Sequence, residues 1–521
     1  MRLPYIRRLV VLGFVLAWTA VPIGRQAWAE DQPGSDGDLR KQIEALRQQG
    51  EESQRLIEAL QRKLDQLEKG ATPPTAPVVP AAAPTSADAQ SALDKAIEDL
   101  GPQEAEPSAP SPDLASAKVG KAEVKLIDIS MDVLVAAGGS SAPPREIPTL
   151  QGGGHDPSRN GFSLQQAEIS AAGAVDPYLY GEAHIVFLED GVELEEAYAT
   201  SLGLPAGLQV KAGYFLTEFG RVNPTHPHSW DWIDQPVTNT RMFGGDGQRG
   251  VGVRLGWLLP VPWFSELLLT MQNATGERMP SFLGDVEGVG ARYPFAGALE
   301  DAGYTLTIGG RPMLDHQVKG MRDFVYAARW THSFSPGDTT ALIGLSGEYG
   351  PNRTGDNGAA WIYGGDLLVR WRPAVNEYGW PYVSWQTEVT GRDYHAVGFH
   401  AALDQGAGNP PFAVDLPERT FRDWGVTTML VWGFVRDWAL GGRFEYASSF
   451  DHHGDYQARK ADPLRDDRMR VAPVLIFNPT HFSRLRFQYD YDVATHLKDG
   501  HAHSVWASVE ILYGAHPAHN F

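Results

Sequence analysis

From about residue 121 onward, apolar and polar side chains alternate at every second position. Ile129, Met131 and Val133 share one parity, whereas Asp128 and Asp132 share the other. Because successive side chains of a β-strand point to opposite faces, this pattern predicts strands with one apolar and one wet face. Sixteen such segments can be traced, and eighteen is the alternative count. They are predicted at 124–136, 162–174, 177–188, 192–202, 207–216, 249–259, 262–275, 321–334, 338–350, 358–373, 380–393, 421–434, 437–449, 467–477, 482–493 and 503–513.

The connections between these segments alternate in character. Short turns, such as Asp176-Pro177 and Arg436-Asp437, alternate with connections that are mostly long and polar. Outer-membrane barrels have short turns at the periplasmic end and longer loops at the other, whereas a soluble β-sandwich has no reason to sort its loops in this way. The sequence therefore predicts an all-β fold, an antiparallel transmembrane β-barrel over residues 121–521. The long connections are 137–161, 217–248, 276–320, 394–420 and 450–466.

Aromatic residues recur near the ends of the predicted strands. In a membrane barrel such rings form girdles at the two membrane interfaces, where an amphipathic side chain contacts both lipid and water. The alternative is ordinary core packing of single aromatic residues. The girdle candidates are Trp371, Trp380, Tyr382, Trp432, Trp438, Tyr489 and Tyr491.

Residues 1–29 have the features of a signal peptide. A positively charged start precedes an apolar stretch at 9–20, and Ala27-Trp28-Ala29 matches a cleavage site. The apolar stretch is shorter than the roughly 20 residues of a transmembrane helix, so cleavage is favoured over an uncleaved anchor. The absence of cysteine from the chain fits an exported bacterial protein better than a disulfide-stapled secreted fold.

Two further segments precede the predicted barrel. Leucines such as Leu39, Leu46 and Leu60 recur in heptads, which predicts a short coiled coil over residues 30–69; a solvated lone helix is the alternative. Residues 70–120 are rich in Pro and Ala and predict an extended linker. An even strand count puts both barrel ends on the short-turn side, so we expect the coiled coil in the periplasm. A self-associating helix would also make the protein an oligomer.

Three stretches resemble strands of a known family. The segments 163–173 (SLQQAEISAAG), 192–200 (VELEEAYAT) and 208–220 (LQVKAGYFLTEFG) are similar to early strands of the phosphate-selective porin O/P family. The last stretch resembles that family's strand followed by Phe-Gly before the third loop. The resemblance implies a 16-stranded, homotrimeric channel in the bacterial outer membrane, with a third loop that narrows the pore. A phosphate-selective lumen should be rich in lysine, and of the predicted lumen positions only Lys211 is lysine.

The parity of the strands also predicts which charges line the lumen. If the apolar face meets lipid, the opposite face meets water, where charged side chains are tolerated. Arginines outnumber carboxylates on that face, which favours anions despite the formal net charge of −20. Equally, these charges could simply pair and brace the wall. The pore-lining candidates are Lys211, Arg254, Arg329, Arg370, Arg372, Arg443, Arg484, Arg486, Asp128, Asp132 and Glu168.

The connection 217–248 lies where the third loop of a porin enters the barrel. It contains two histidines separated by proline, with aspartates nearby, and imidazole and carboxylate groups can bind a divalent metal. The spacing matches no established metal site, so a rigid, Trp-packed loop that narrows the pore is favoured. The constriction candidates are His226, His228, Trp230, Asp231, Asp234 and Arg241.

These patterns favour a channel over an enzyme. The chain has no G-x-S-x-G elbow, no HExxH motif and no Walker loop, and no cofactor is expected. Its acidic charge argues against nucleic acid as a partner. We expect an outer-membrane porin, in contact with lipid, through which small hydrophilic solutes or ions diffuse passively. The alternatives are an envelope-tethering barrel with little conductance and a divalent-metal-related channel.

Overall fold

The computed structural model describes residues 116–119, 122–125, 127–150, 152–276, 278–284, 293–316, 318–404, 411–450 and 456–514. The predicted signal peptide and coiled coil, and all of the predicted linker except 116–119, lie outside these residues. The strands, numbered in chain order, are β1 (Ser116–Val119), β2 (Ala122–Lys125), β3 (Asp128–Ser140), β4 (Gly161–Ala174), β5 (Leu179–Phe187), β6 (Val192–Ser201), β7 (Leu208–Leu216), β8 (Arg249–Leu258), β9 (Phe264–Asn273), β10 (Leu306–Thr307), β11 (Arg311–Pro312), β12 (Phe324–Phe334), β13 (Thr339–Pro351), β14 (Ala359–Trp371), β15 (Tyr382–Ala396), β16 (Phe399–Leu403), β17 (Phe412–Leu416), β18 (Arg419–Val435), β19 (Trp438–Ser449), β20 (Arg468–Thr480), β21 (Ser483–Ala494) and β22 (His501–Gly514).

Sixteen of these strands close into one antiparallel barrel, which confirms the predicted fold and strand count. The first barrel strand, β3, pairs with the last, β22, so the sheet has no free edge. Closure gives every barrel strand a hydrogen-bonded neighbour on both sides. A sheet must be closed in this way to cross a membrane, because lipid offers no partner to an unpaired backbone group. Each predicted segment overlaps one barrel strand. β3 begins four residues later than the predicted 124–136, because Ala122–Lys125 pairs instead with β1 in a separate hairpin.

The outer face of the barrel is apolar, as a lipid-facing surface must be. On β3, Ile129 and Met131 are exposed while Ser130 and Asp132 are buried on the inner face. On β22, Val509 and Ile511 are exposed while Glu510 is buried. The alternation seen in the sequence is therefore the alternation between lipid and lumen.

The predicted aromatic girdles need one correction. Trp371 and Trp432 are exposed near strand ends, and Tyr489 is exposed in the middle of β21. Trp380, however, is buried, and Tyr382 lines a cavity inside the barrel. Tyr382 pairs with Gly433 of β18. Where the inner face offers a glycine, an aromatic ring packs over it instead of pointing outward.

The connections at the end opposite the short turns carry their own structure. The helices are α1 (Ile147–Leu150), α2 (Val237–Phe243), α3 (Ala296–Asp301) and α4 (Tyr456–Lys460). β10 pairs with β11 and β16 with β17, both as loop hairpins. Leu299, Leu306, Leu403 and Val414 of these connections share a buried apolar cluster. The long loops therefore pack on one another at the end of the barrel opposite the short turns. Within the described part of the chain, no helix has the length and apolar character to cross a membrane.

Candidate functional site in the barrel lumen

The connection 217–248, termed the lumen loop below, is folded into the barrel. At its start, the backbone N–H of Arg221 donates to Glu388 on β15, at 2.9 Å. Further along, the N–H of Ile233 donates to Gln488 on β21, at 2.8 Å. Trp232 donates its indole N–H to the carbonyl of Ala472 on β20, at 2.8 Å. The lumen loop is therefore hydrogen-bonded to several strands of the barrel wall, and it fills part of the interior.

A glycine allows the lumen loop to enter. Gly220 has a φ of 59°, in the left-handed region, and its N–H donates to Ser346 Oγ at 3.1 Å. A β-carbon at this position would overlap the carboxylate of Glu388. That carboxylate is occupied in receiving the N–H groups of Arg221 and Val222. The Phe-Gly pair at 219–220 thus has a physical basis in a turn that only glycine permits without strain.

The middle of the lumen loop is fixed by Asp234. Its carboxylate accepts hydrogen bonds from Arg443 at 2.7 Å, from Gln488 at 2.6 Å and from Arg470. Burial alone would raise the pKa of Asp234, but Arg443 and Arg470 hold that pKa below its usual range. A second anchor joins Arg241 of α2 to Asp466 at 2.5 Å. Both anchors are buried ion pairs, and the first belongs to a network in which Arg443 also pairs with Glu445 and Arg470 with Asp492.

Two predicted pore-lining arginines hold the backbone of the lumen loop. Arg484 donates to the carbonyl of His228 and pairs with Glu510, both at 2.5 Å. Arg486 donates to the carbonyl of Trp230 at 2.9 Å and to that of Trp232 at 3.0 Å. Both arginines lie on the inner face and are buried. Their guanidinium groups position the loop.

Three other candidates are engaged with neighbouring side chains. Arg254 and Lys211 both approach Glu218, at 2.6 Å and 3.4 Å. Arg329 pairs with Asp366 at 2.7 Å. The first two pairs brace the entrance of the lumen loop, and the third reaches across β13 to join β12 to β14.

A cavity of about 1160 Å³ lies between the lumen loop and the short-turn end. Gly337 and Asp338, in the short turn between β12 and β13, are part of its lining. Arg370 on β14 and Arg372, which directly follows that strand, line one side. Glu182 on β5 and Glu196 on β6 lie about half the barrel away. Opposed charges of this kind set up a field across the lumen that sorts ions. The sequence candidates on the lining are Asp128, Lys211, His226, His228, Trp230, Asp231, Asp234, Arg370, Arg372, Arg443 and Arg484.

Histidines and carboxylates gather beside this cavity. His226 Nδ1 lies 3.0 Å from Glu195, and its Nε2 lies 2.8 Å from Glu196. His184 Nδ1 and His228 Nδ1 lie 2.8 Å and 3.2 Å from Glu168. Asp132 lies next to His228, whereas Asp234 is held elsewhere by arginines. We call this group, Asp132, Glu168, His184, Glu195, Glu196, His226 and His228, the histidine cluster.

Burial by itself would lower the pKa of His226, but the charges of Glu195 and Glu168 raise it well above its usual value. The imidazole is therefore surrounded by negative charge.

Sequence reasoning missed His184, Glu195 and Glu196. On β6, Glu196 pairs with His184 and Leu194 with Ile185, so Glu195 is an extra residue in a β-bulge. As a result Glu195 and Glu196 are both buried, at 2% and 5% exposure, whereas strict alternation sends one of them to lipid. Two adjacent glutamates in a membrane strand were the available signal, because a charge facing lipid is costly.

Comparison with known proteins identifies a relative. No protein-family model matches the chain. An uncharacterized protein of Aquifex aeolicus (strain VF5) is 31% identical over 394 residues, which is 72% of this chain and 75% of the relative. The chain belongs to the family of that protein. Membership of the phosphate-selective porin O/P family stays a prediction.

Several solved structures are also similar to this family member. The outer membrane channel DcaP of Acinetobacter baumannii has a TM-score of 0.46 and 13% identity, over 74% of this chain and 97% of that one. An anion-selective porin from Comamonas acidovorans has a TM-score of 0.42 and 7% identity, over 74% and 99%. OprB of Pseudomonas putida has a TM-score of 0.43 and 11% identity, over 74% and 94%.

Proposed function

We propose that this protein is a bacterial outer-membrane porin through which small hydrophilic solutes or ions diffuse passively. The observation that carries the proposal is the combination of a closed, lipid-facing barrel with a charged cavity beneath an inserted loop. An apolar exterior fits a barrel that lies in a membrane. A charged interior fits a barrel through which polar solutes pass. The predicted signal peptide supports export, and the predicted coiled coil supports a homotrimer anchored from the periplasm.

The charges that face the cavity support a preference for anions. Arg370 and Arg372 lie on its lining and are not held in ion pairs with described residues within 4 Å. Arg221, on the lumen loop, lies on the same lining. By contrast, Lys211 is placed against Glu218 and over the ring of Tyr198. The positive charges on the cavity lining that lack an ion pair with a described residue are therefore arginines. Arginine binds carboxylates and phosphates alike, so these residues give no specific support for phosphate selectivity.

The packing of the outer half of the lumen favours a second candidate, a barrel that tethers the envelope and conducts little. Phe219 and Phe243 of the lumen loop are buried with Phe282 and Phe421 in one apolar cluster. Such packing narrows any path to the outer side. The two candidates differ in a single property, which is permeability of the folded protein.

Liposome swelling tests the proposal. Vesicles containing the purified, heat-modifiable protein are diluted into uncharged sugars of increasing mass, with empty vesicles and vesicles of the denatured protein as controls. A porin gives swelling rates that fall steeply with sugar mass. At equal mass, a dicarboxylate should enter faster than a diamine if the arginines govern selectivity. Swelling no faster than that of empty vesicles would reject the channel and favour the tether.

A further inference from the structure

The histidine cluster brings three metal-ligating atoms to one point. His226 Nδ1, His228 Nδ1 and a carboxylate oxygen of Glu168 all lie within 4.8 Å of one another. Glu168 Oε2 is 3.2 Å from His228 Nδ1 and 3.7 Å from His226 Nδ1. Ligands about 2.0–2.2 Å from a tetrahedral zinc ion are roughly 3.3 Å apart, so the two carboxylate–imidazole separations are close to those of a zinc site.

Asp132 is a buried carboxylate beside these ligands. Its side chain is only 2% exposed, and neither carboxylate oxygen accepts a hydrogen bond from any described residue. Oδ2 lies 3.7 Å from His228 Nδ1. A buried carboxylate without donors is costly, and in native proteins such a group usually has a partner. A divalent ion held by His228 would supply that partner.

The surroundings of the three ligands would orient them. His226 Nε2 lies 2.8 Å from Glu196. Its Nδ1 faces Glu195 at 3.0 Å and Glu168 at 3.7 Å, so an ion at Nδ1 would lie between these two carboxylates. The second oxygen of Glu168 lies 2.8 Å from His184. Carboxylate and histidine partners in this position are typical of protein metal sites, because they fix the tautomer and the direction of each ligand. Both His226 and His228 line the cavity, so an ion can reach them from its water.

We propose that His226, His228 and Glu168, with Asp132 beside them, bind one divalent transition-metal ion. Two imidazole nitrogens with carboxylate oxygens suit zinc, cobalt, nickel or copper better than calcium or magnesium. Such an ion would tie the lumen loop to strands β3 and β4. The site does not depend on whether the barrel conducts, because binding is measured on the isolated protein.

The test is metal binding to the full-length, chelator-treated protein in detergent. Calorimetric titration with zinc chloride should give one saturable ion per protomer, and cobalt should give the visible absorption of a low-coordinate site. His226→Ala with His228→Ala should abolish the saturable phase. Glu196→Gln, which removes an orienting partner only, should weaken it by about 10–100-fold. His400→Ala removes a solvent-exposed histidine of β16 and should change nothing.

Two results with the wild-type protein and the double variant would overturn the proposal. One is the absence of saturable binding by wild-type protein at micromolar metal. The other is binding that survives in the double variant, which would assign the ion to another site. If the double variant loses its heat-modifiable fold, Glu168→Gln and Asp132→Asn keep the side-chain shapes. Unchanged zinc affinity in both would likewise reject the site, and at least tenfold weaker binding in either would support it.

Discussion

Asp234 accepts a hydrogen bond from Arg443 at 2.7 Å, at a place where neither side chain is exposed to solvent. Asp234 belongs to the lumen loop and Arg443 to the barrel wall, so the pair fixes the loop inside the barrel. Asp234→Asn keeps the shape but removes the carboxylate that Arg443 and Arg470 share, and leaves them paired with Glu445 and Asp492 alone. We expect a loss of about 1–3 kcal/mol in stability, because buried charge-assisted hydrogen bonds are lost.

The measurement is the temperature at which the barrel loses its heat-modifiable mobility, together with its conductance. The variant should unfold earlier and conduct more, because the loop is released. Asp190→Asn, at an exposed position in a short connection, is the matched control and should behave as wild type. Equal stability of the Asp234 variant and the control would show that the pair does not hold the loop.

Charge selectivity should depend on Arg370 and Arg372. Both lie on the cavity, whereas Arg484 and Arg486 are engaged with carbonyl groups of the lumen loop. Arg370→Gln with Arg372→Gln should move the reversal potential in a salt gradient toward cations without loss of stability. Arg422→Gln removes an exposed charge outside the cavity and should leave the reversal potential unchanged. A potential unchanged in the double variant would remove these arginines from the selectivity mechanism.

The entrance of the lumen loop should tolerate no side chain at Gly220. Gly220→Ala forces a left-handed residue, which costs about 1–2 kcal/mol, and adds an overlap with Glu388. Gly303→Ala is the matched control, because Gly303 also has a positive φ but open space around it. Gly220→Ala should therefore lower the thermal unfolding temperature more than Gly303→Ala does. Equal effects of the two variants would mean that the side chain of Glu388 moves aside without a loss of stability.

A pH response is expected where two loops meet. Asp156, in the connection between β3 and β4, accepts the N–H groups of Gly153 and Gln235. Burial and the nearby carboxylate of Asp234 raise the pKa of Asp156 from 3.8 to about 7, against the opposing effects of the N–H groups of Gln235 and Gly153 and of the charge of Arg470. The folded state thus binds this proton more tightly than the unfolded state. Its contribution to stability is fully present below the unfolded value and is lost as the pH rises toward 7.

Hydrogen exchange measures this response locally. Protection factors of the segment around Gly153 and Gln235, corrected for the intrinsic effect of pH, should fall between about pH 4 and pH 7 and then level. Asp156→Asn should remove most of this dependence, whereas Asp190→Asn should keep it. A wild-type profile that is flat across this window would contradict the raised pKa of Asp156.

The barrel could be predicted from the sequence because its physics is local. Each strand meets lipid on one face, so Ile129 and Met131 alternate with Asp128 and Asp132 whatever their partners are. The histidine cluster could not be predicted in full. It depends on a bulge at Glu195, which breaks the alternation, and on the path of a loop that carries His226 and His228 to strands far away in sequence. The partners of Arg484 and Arg486 are hidden for the same reason, since backbone carbonyls leave no trace in a residue pattern.

Single-channel recording in planar bilayers tests the central claim most directly. The purified, folded protein should insert in discrete steps, each with a linear current–voltage relation, and a salt gradient should give a reversal potential of the sign expected for anions. Asp234→Asn, recorded in the same membranes, should give larger steps than wild type. A folded, heat-modifiable barrel that inserts but carries no current above the bare bilayer would contradict the account.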